Sequence, residues 1–147
     1  MEINTICVCG AGTMGSGIAQ VSAQSGFDTI LYELNETVLE KAKNSIEKNL
    51  GSLIEKGKIT PEEKEKIKKR IQFTTDIQAC IADLFIEAII EKPEAKISLF
   101  NQLAGINNNE CIFASNTSSL PISAIASKIK NPERVIGMHF FNPAPLM

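Results

Sequence analysis

A run of six residues, Gly10-Ala11-Gly12-Thr13-Met14-Gly15, constrains the fold of this chain more than any other segment. It follows directly on the apolar, β-branched run Ile3 to Cys9, which reads as a buried strand. From Met14 to Ser25 the apolar residues recur at helical spacing, with Ile18, Ala19 and Val21 on one side, and Gly26 is a natural helix stop. Phe27 to Tyr32 reads as a second strand. Strand, glycine turn, helix and strand within about thirty residues make one βαβ unit. In such a unit the first glycine permits the tight turn and the second lets backbone amides approach a pyrophosphate. The third lets helix and strand pack closely, and the helix N-terminus faces the phosphates.

Gly10, Gly12, Thr13, Met14 and Gly15 therefore form a candidate dinucleotide-binding turn. Glu33, at the end of the second strand, is the acid expected about 20 residues further on, placed for the adenosine ribose hydroxyls. A carboxylate there repels a 2′-phosphate, and no Arg follows within Leu34-Asn35-Glu36. The pattern predicts NAD rather than NADP as cofactor.

Residues 35 to 70 change character. Leu39, Ala42, Ile46, Leu50, Leu53 and Ile54 recur at helical spacing through a Lys/Glu background, and Gly57 ends that helix. Thr60-Pro61-Glu62-Glu63 restarts one, with a Thr N-cap, Pro at the first helical position and Glu at the capping-box site. This predicts a helical hairpin inserted between strands. Ten of the fifteen Lys and Arg residues fall between 41 and 70, against five acids. Beyond it the alternation resumes. Strands are predicted at Ile71 to Thr74, Asp83 to Ile90, Cys111 to Ser115 and Arg134 to Met138. Helices are predicted at Ile77 to Ala82, Pro93 to Ala104 and Ile122 to Ser127. The expected fold is α/β, a Rossmann-type doubly wound, mainly parallel sheet covered on both faces. Residues 1–147 are taken as one domain.

The net charge of −2 argues against a nucleic-acid partner, and no apolar run is long enough to span a membrane. No signal peptide is read ahead of the first strand, so a cytoplasmic location is expected. The four cysteines form no framework. Cys7 and Cys9, two apart on a strand, are expected to point to opposite faces, and Cys80 and Cys111 lie far off in apolar contexts. They read as small hydrophobes in a reducing compartment, with no metal site.

In open α/β sheets, ligands bind beyond the C-terminal ends of the strands. Three further strand ends here are polar. Glu91-Lys92 follows Ile86 to Ile90, Ser115-Asn116-Thr117-Ser118-Ser119 follows Ile112 to Ala114, and His139 and Asn142 follow the last strand. The hydroxyl and amide run also suits helix capping before Pro121. His139 is the only histidine, and it sits where an apolar run breaks into a Pro-punctuated turn. It is a candidate general acid/base, and its tautomer needs a partner that must be upstream or missing.

Four segments together resemble the short-chain L-3-hydroxyacyl-CoA dehydrogenase family, the 3-hydroxybutyryl-CoA dehydrogenases in particular. They are GAGTMGSGIAQ (10–20), DLFIEAIIE (83–91), FASNTSSLPI (113–122) and VIGMHFFNPAP (135–145). The resemblance implies that His139 takes the proton from the substrate 3-hydroxyl while hydride passes to the nicotinamide of NAD. It implies that Ser118 hydrogen-bonds the substrate oxygen. Glu91, Lys96 and Asn142 match positions at the nicotinamide end or the bound substrate, and Glu33 matches the ribose acid. Asn49 and Lys56 fall where the family contacts coenzyme A, although Asn49 is often Ser there. An acyl-CoA is thus the implied substrate, and a Lys-rich hairpin suits a polyanionic one.

Family members continue beyond the HFFNP segment with a glutamate that pairs with the histidine and an all-helical domain that forms the dimer. Neither is present in this sequence. The expectation is a chain that binds NAD but turns over slowly or not at all, from a parent that is a homo-oligomer. Two other readings stay open: a non-enzymatic NAD-binding or structural protein on the same fold, and a β-hydroxyacid dehydrogenase, which shares the glycine turn but lacks HFFNP.

Overall fold

The computed structural model describes residues 1–146. Its centre is a sheet of six short strands: β1 (Thr5–Cys9), β2 (Asp28–Tyr32), β3 (Ile71–Thr74), β4 (Leu84–Glu87), β5 (Ile112–Ser115) and β6 (Val135–Gly137). All neighbours run parallel, in the order β3-β2-β1-β4-β5-β6. The order reverses beside β1, which is where an open α/β sheet leaves a crevice. The register levels the strand ends. Thr74, Tyr32, Cys9, Glu87, Ser115 and Gly137 form one row across all six strands. Whatever follows these residues lies along one rim.

Helices cover both faces, as a parallel sheet requires. Residues two apart on a strand share a face. Ile6 and Val8 of β1 join Ile18, Ala19 and Ala23 of α1 (Thr13–Gln24) and Leu39, Ala42, Ile46 and Leu50 of α2 (Glu36–Glu55) in one core. Cys7 and Cys9 lie in the other, with Phe85, Phe113, and Leu99, Phe100 and Leu103 of α4 (Pro93–Ile106). This corrects the expectation of opposite faces for the two cysteines. Their sulfurs are 3.9 Å apart and both are buried. Contact with Cys80 and Cys9, together with burial, pushes the Cys7 thiol well above its ordinary range.

The inserted hairpin forms as its caps dictate. The side chain of Asn35 accepts the Val38 N–H at the start of α2, and Gly57 takes a left-handed φ of 65° just past its end. The hydroxyl of Thr60 accepts from Glu63 N–H at 3.1 Å, and Glu63 accepts from Thr60 N–H at 2.7 Å. That reciprocal pair and Pro61 start α3 (Pro61–Lys69). Lys64 and Lys68 of α3 both reach Glu47 of α2, at 2.6 and 2.9 Å.

Most strands start or end a residue or two inside their predicted ranges, and two elements are much shorter than the sequence predicts. The strand expected over Asp83 to Ile90 covers only Leu84–Glu87. Ahead of it, Asp83 uses its carboxylate to accept the N–H groups of Asn4 and Thr5. The Ala88 N–H makes a last bond to Cys9, and by Ile90 the chain is exposed. The helix expected from Ile77 is a single 3₁₀ turn, Ile77–Ala79, capped by Asp76. A five-residue helix, α5 (Ile122–Ala126), leads to β6.

Candidate active site

The glycine turn is built as its spacing predicts, and each glycine has a separate cause. Gly10 has a φ of +99°, and a Cβ there would stand 2.6 Å from the Ala88 carbonyl oxygen. Its N–H donates to Tyr32 at 2.8 Å. At Gly15 a Cβ would stand 1.7 Å from the Gly10 carbonyl oxygen, so only glycine lets α1 pack this close. At Gly12 a Cβ would meet nothing within 4 Å. The open space there is the room a pyrophosphate needs beside the turn. No side chain caps the N-terminus of α1, and its first turn carries no acid. Its free N–H groups, at Thr13 and Met14 among others, can therefore serve an anion. Glu33 stands just past the end of β2, with its carboxylate accepting from Ala11 N–H at 3.0 Å and from Asn35 N–H at 3.0 Å. These residues fit a dinucleotide.

A cleft of about 480 Å³ opens beside the turn, between α1, α2 and residues 142–146. It brings together Gly12, Thr13, Asn49, Lys56 and Asn142, which are far apart in sequence. Asn49 and Lys56 stand exposed on its α2 wall. The Asn49 amide donates to Gln20, a buried α1 side chain, at 3.2 Å.

The polar residues at the other strand ends converge on the rim. Glu91 accepts from the Thr117 hydroxyl at 2.7 Å and from the Ser118 backbone, and the Thr117 contact above all holds its carboxyl below the usual range. Ser118 is exposed, and its hydroxyl has no hydrogen-bond partner among the described residues. Lys96 lies beneath this rim rather than on it. Its ammonium is buried, 2.5 Å from Glu87 and 3.3 Å from Glu91.

His139 does have an upstream partner, and it is not a carboxylate. Nδ1 lies 3.2 Å from the backbone carbonyl of Asn116. A carbonyl can only accept, so Nδ1 carries a proton, and in the neutral ring the lone pair is on Nε2. The side-chain oxygen of Asn116 takes the next N–H along, that of Phe140, at 2.7 Å. Asn116 thereby holds both the ring and the residue after it, and the ring is exposed just past the end of β6. Phe141 meets the ring edge-on at 5.4 Å between centroids.

Two residues that shape this site, Gln20 and Glu87, are missed by sequence reasoning, which picks out Ser115 and Asn116 only as members of a polar run. Glu87 offers a signal, being a carboxylate inside an apolar run with a lysine nine residues on. Asn116 acts partly through its backbone, which no residue-type pattern can reveal. Among the described residues no cluster of His, Cys, Asp or Glu could hold a metal ion, and no helix is long and apolar enough to cross a membrane.

A parallel sheet that reverses its strand order beside a phosphate-facing glycine turn defines a dinucleotide-binding domain. More narrowly, this chain belongs to the family of the 3-hydroxyacyl-CoA dehydrogenase NAD binding domain, which matches residues 5–147. It is 52% identical over 141 residues to a probable 3-hydroxybutyryl-CoA dehydrogenase of Deinococcus radiodurans, with 95% of this chain and 50% of the relative covered. It is 46% identical over 148 residues to a second protein so named, from Bacillus subtilis, covering 100% of this chain and 52% of the relative. The crystal structure of 3-hydroxybutyryl-CoA dehydrogenase from Escherichia coli superposes with a TM-score of 0.96 at 47% identity, covering 100% of this chain and 31% of that one. The chain thus spans about half, or less, of the length of the relatives it matches.

Proposed function

We propose that this chain is the cofactor-binding and proton-transfer part of an enzyme that oxidises a short (S)-3-hydroxyacyl-CoA to the 3-oxoacyl-CoA, or runs the reverse. The observation that carries the reading is the Asn116–His139 contact at the rim, which leaves Nε2 free beside the exposed Ser118 loop. NAD, when bound, would supply the hydride acceptor for C3 of the substrate, and NADH the hydride donor in the reverse direction. His139 Nε2 takes the proton of the 3-hydroxyl, and the Ser118 hydroxyl donates to the same oxygen as it becomes a carbonyl. Gly10, Gly12, Thr13, Met14 and Gly15 seat the pyrophosphate, and Glu33 takes the ribose hydroxyls. Glu91, Lys96 and Asn142 border the nicotinamide end. Asn49 and Lys56 line the cleft on the side where coenzyme A enters.

The relatives are named for 3-hydroxybutyryl-CoA and, in one Escherichia coli case, for 3-hydroxyadipyl-CoA, which supports an acyl-CoA substrate. We further assign the protein to a reducing cytoplasm, in keeping with four free cysteines. The whole enzyme is a homo-oligomer in this reading, with the exposed Ile136, Phe141 and Leu146 inside its interfaces.

The test is loss of NADH absorbance with acetoacetyl-CoA. It is run on this chain and on a fusion to the remaining half of the Deinococcus radiodurans relative. The fusion turns over, and His139→Gln lowers its rate by about 10²- to 10⁴-fold while NADH binding stays intact. An unchanged rate in His139→Gln would refute the assignment.

A further inference from the structure

Glu87 is a fully buried carboxylate with no part in the chemistry above. It accepts from the Lys96 ammonium at 2.5 Å, from the Ser115 hydroxyl at 2.6 Å and from Ile89 N–H at 2.8 Å. Lys96 also reaches Glu91, whose side chain is 43% exposed. Two carboxylates and one ammonium thus meet where β4 gives way to α4, with a formal sum of −1. The fold alone gives no reason for them. Breaking a buried ion pair is costly, but an apolar pair of the same volume serves stability as well.

The position of the group supplies a reason. The turn after β1 faces the pyrophosphate, and Glu33 after β2 takes the adenosine side. The other half of a dinucleotide must run the opposite way, over the ends of β4 and β5. That half ends in a nicotinamide ring, which is cationic when oxidised and neutral when reduced.

We propose that Glu87, Lys96 and Glu91 act together as a selector of cofactor redox state, their net negative charge favouring the oxidised ring over the reduced one. Glu87 is the positioning residue: by engaging Lys96 it keeps the ammonium from cancelling Glu91. The proposal rests on the reading that the chain binds NAD with its nicotinamide end at this rim.

Calorimetric titration of the chain with NAD and with NADH gives the ratio of the two dissociation constants. Glu87→Gln removes one negative charge and shifts that ratio toward NADH by about fivefold. Glu91→Gln shifts it the same way. The double variant Glu87→Gln with Lys96→Met has no ion pair but restores the net −1, and it returns the ratio to within about twofold of the starting value. A purely structural pair predicts no such recovery. Thermal melts establish that each variant is folded, and if Glu87→Gln is not, the exposed Glu91→Gln carries the comparison. A ratio that stays fixed in the folded single variants, or a double variant that fails to recover, overturns the selector. Failure of the unmodified chain to bind either cofactor overturns instead the reading beneath it.

Discussion

The carboxylate of Glu33 reaches from the end of β2 to the N–H of Ala11, 3.0 Å away, joining the acid of the second strand to the turn after the first. Glu33→Gln keeps an oxygen that can accept from Ala11 but loses the charge that repels a 2′-phosphate. The affinity for NADP, relative to NAD, should rise by about tenfold. Competitive titration of the two cofactors measures it, and an unchanged ratio would remove Glu33 from the specificity account.

Gly12 and Gly15 lie in one turn yet should fail in opposite ways. Gly15→Ala places a methyl against the Gly10 backbone, which cannot yield, and costs at least about 3 kcal/mol of stability. Gly12→Ala meets open space and leaves the melting temperature within about 2 °C of the parent, while NAD binding falls by more than about tenfold. Thermal melts and calorimetry on the two variants separate the roles.

Asp83 gives the fold a pH dependence with a definite sign. Hydrogen bonds from the backbone of Thr5 and Asn4 hold its carboxyl below the ordinary value of 3.8. A group depressed in the folded state stabilises above its unfolded pKa, and that stability is lost as pH falls through the folded one. Asp83→Asn should cost about 1 kcal/mol at neutral pH. The gap between variant and parent should close below pH 3.8 in denaturant titrations. A gap that persists in acid would show that the loss is steric.

Asn116 holds the His139 ring through its backbone carbonyl and the next residue's N–H, that of Phe140, through its side chain. Asn116→Ala leaves the Phe140 N–H unpaired and should cost about 1–2 kcal/mol. In the active fusion it should also slow acetoacetyl-CoA reduction. Asn116→Asp retains an acceptor at that place and should recover most of both losses. A rate that follows neither substitution would leave the histidine held by the strand alone.

What the sequence reveals and what it hides divide along physical lines. The βαβ unit, the capping box at Thr60 and the stop at Gly57 are legible because each is a local rule acting on adjacent residues. The two shortened elements were not, because tertiary bonds cut them. Asp83 turns its carboxylate to Asn4 and Thr5, and Asn107 donates to the Cys80 carbonyl and accepts from the Ala82 N–H, at separations no local pattern spans. The shared face of Cys7 and Cys9 is legible after all, since a period of two puts them on one side. Glu33, Ser118, His139 and Asn142 stood out as polar residues after apolar runs. Glu87 did not, because its polarity is spent inside the sheet, on partners nine and twenty-eight residues away.

The level row of strand ends has a metric consequence. From β2, which carries Glu33, to β6, which carries His139, there are four strand spacings, about 19 Å in all. The sheet is in effect a ruler, graduated in units of one hydrogen-bonded pair of strands. A compact molecule can read one end of it or the other. Only an extended one can be held at the acid and still present its far terminus to the imidazole. Fragments such as adenosine monophosphate should therefore occupy one end of the scale and leave the other free.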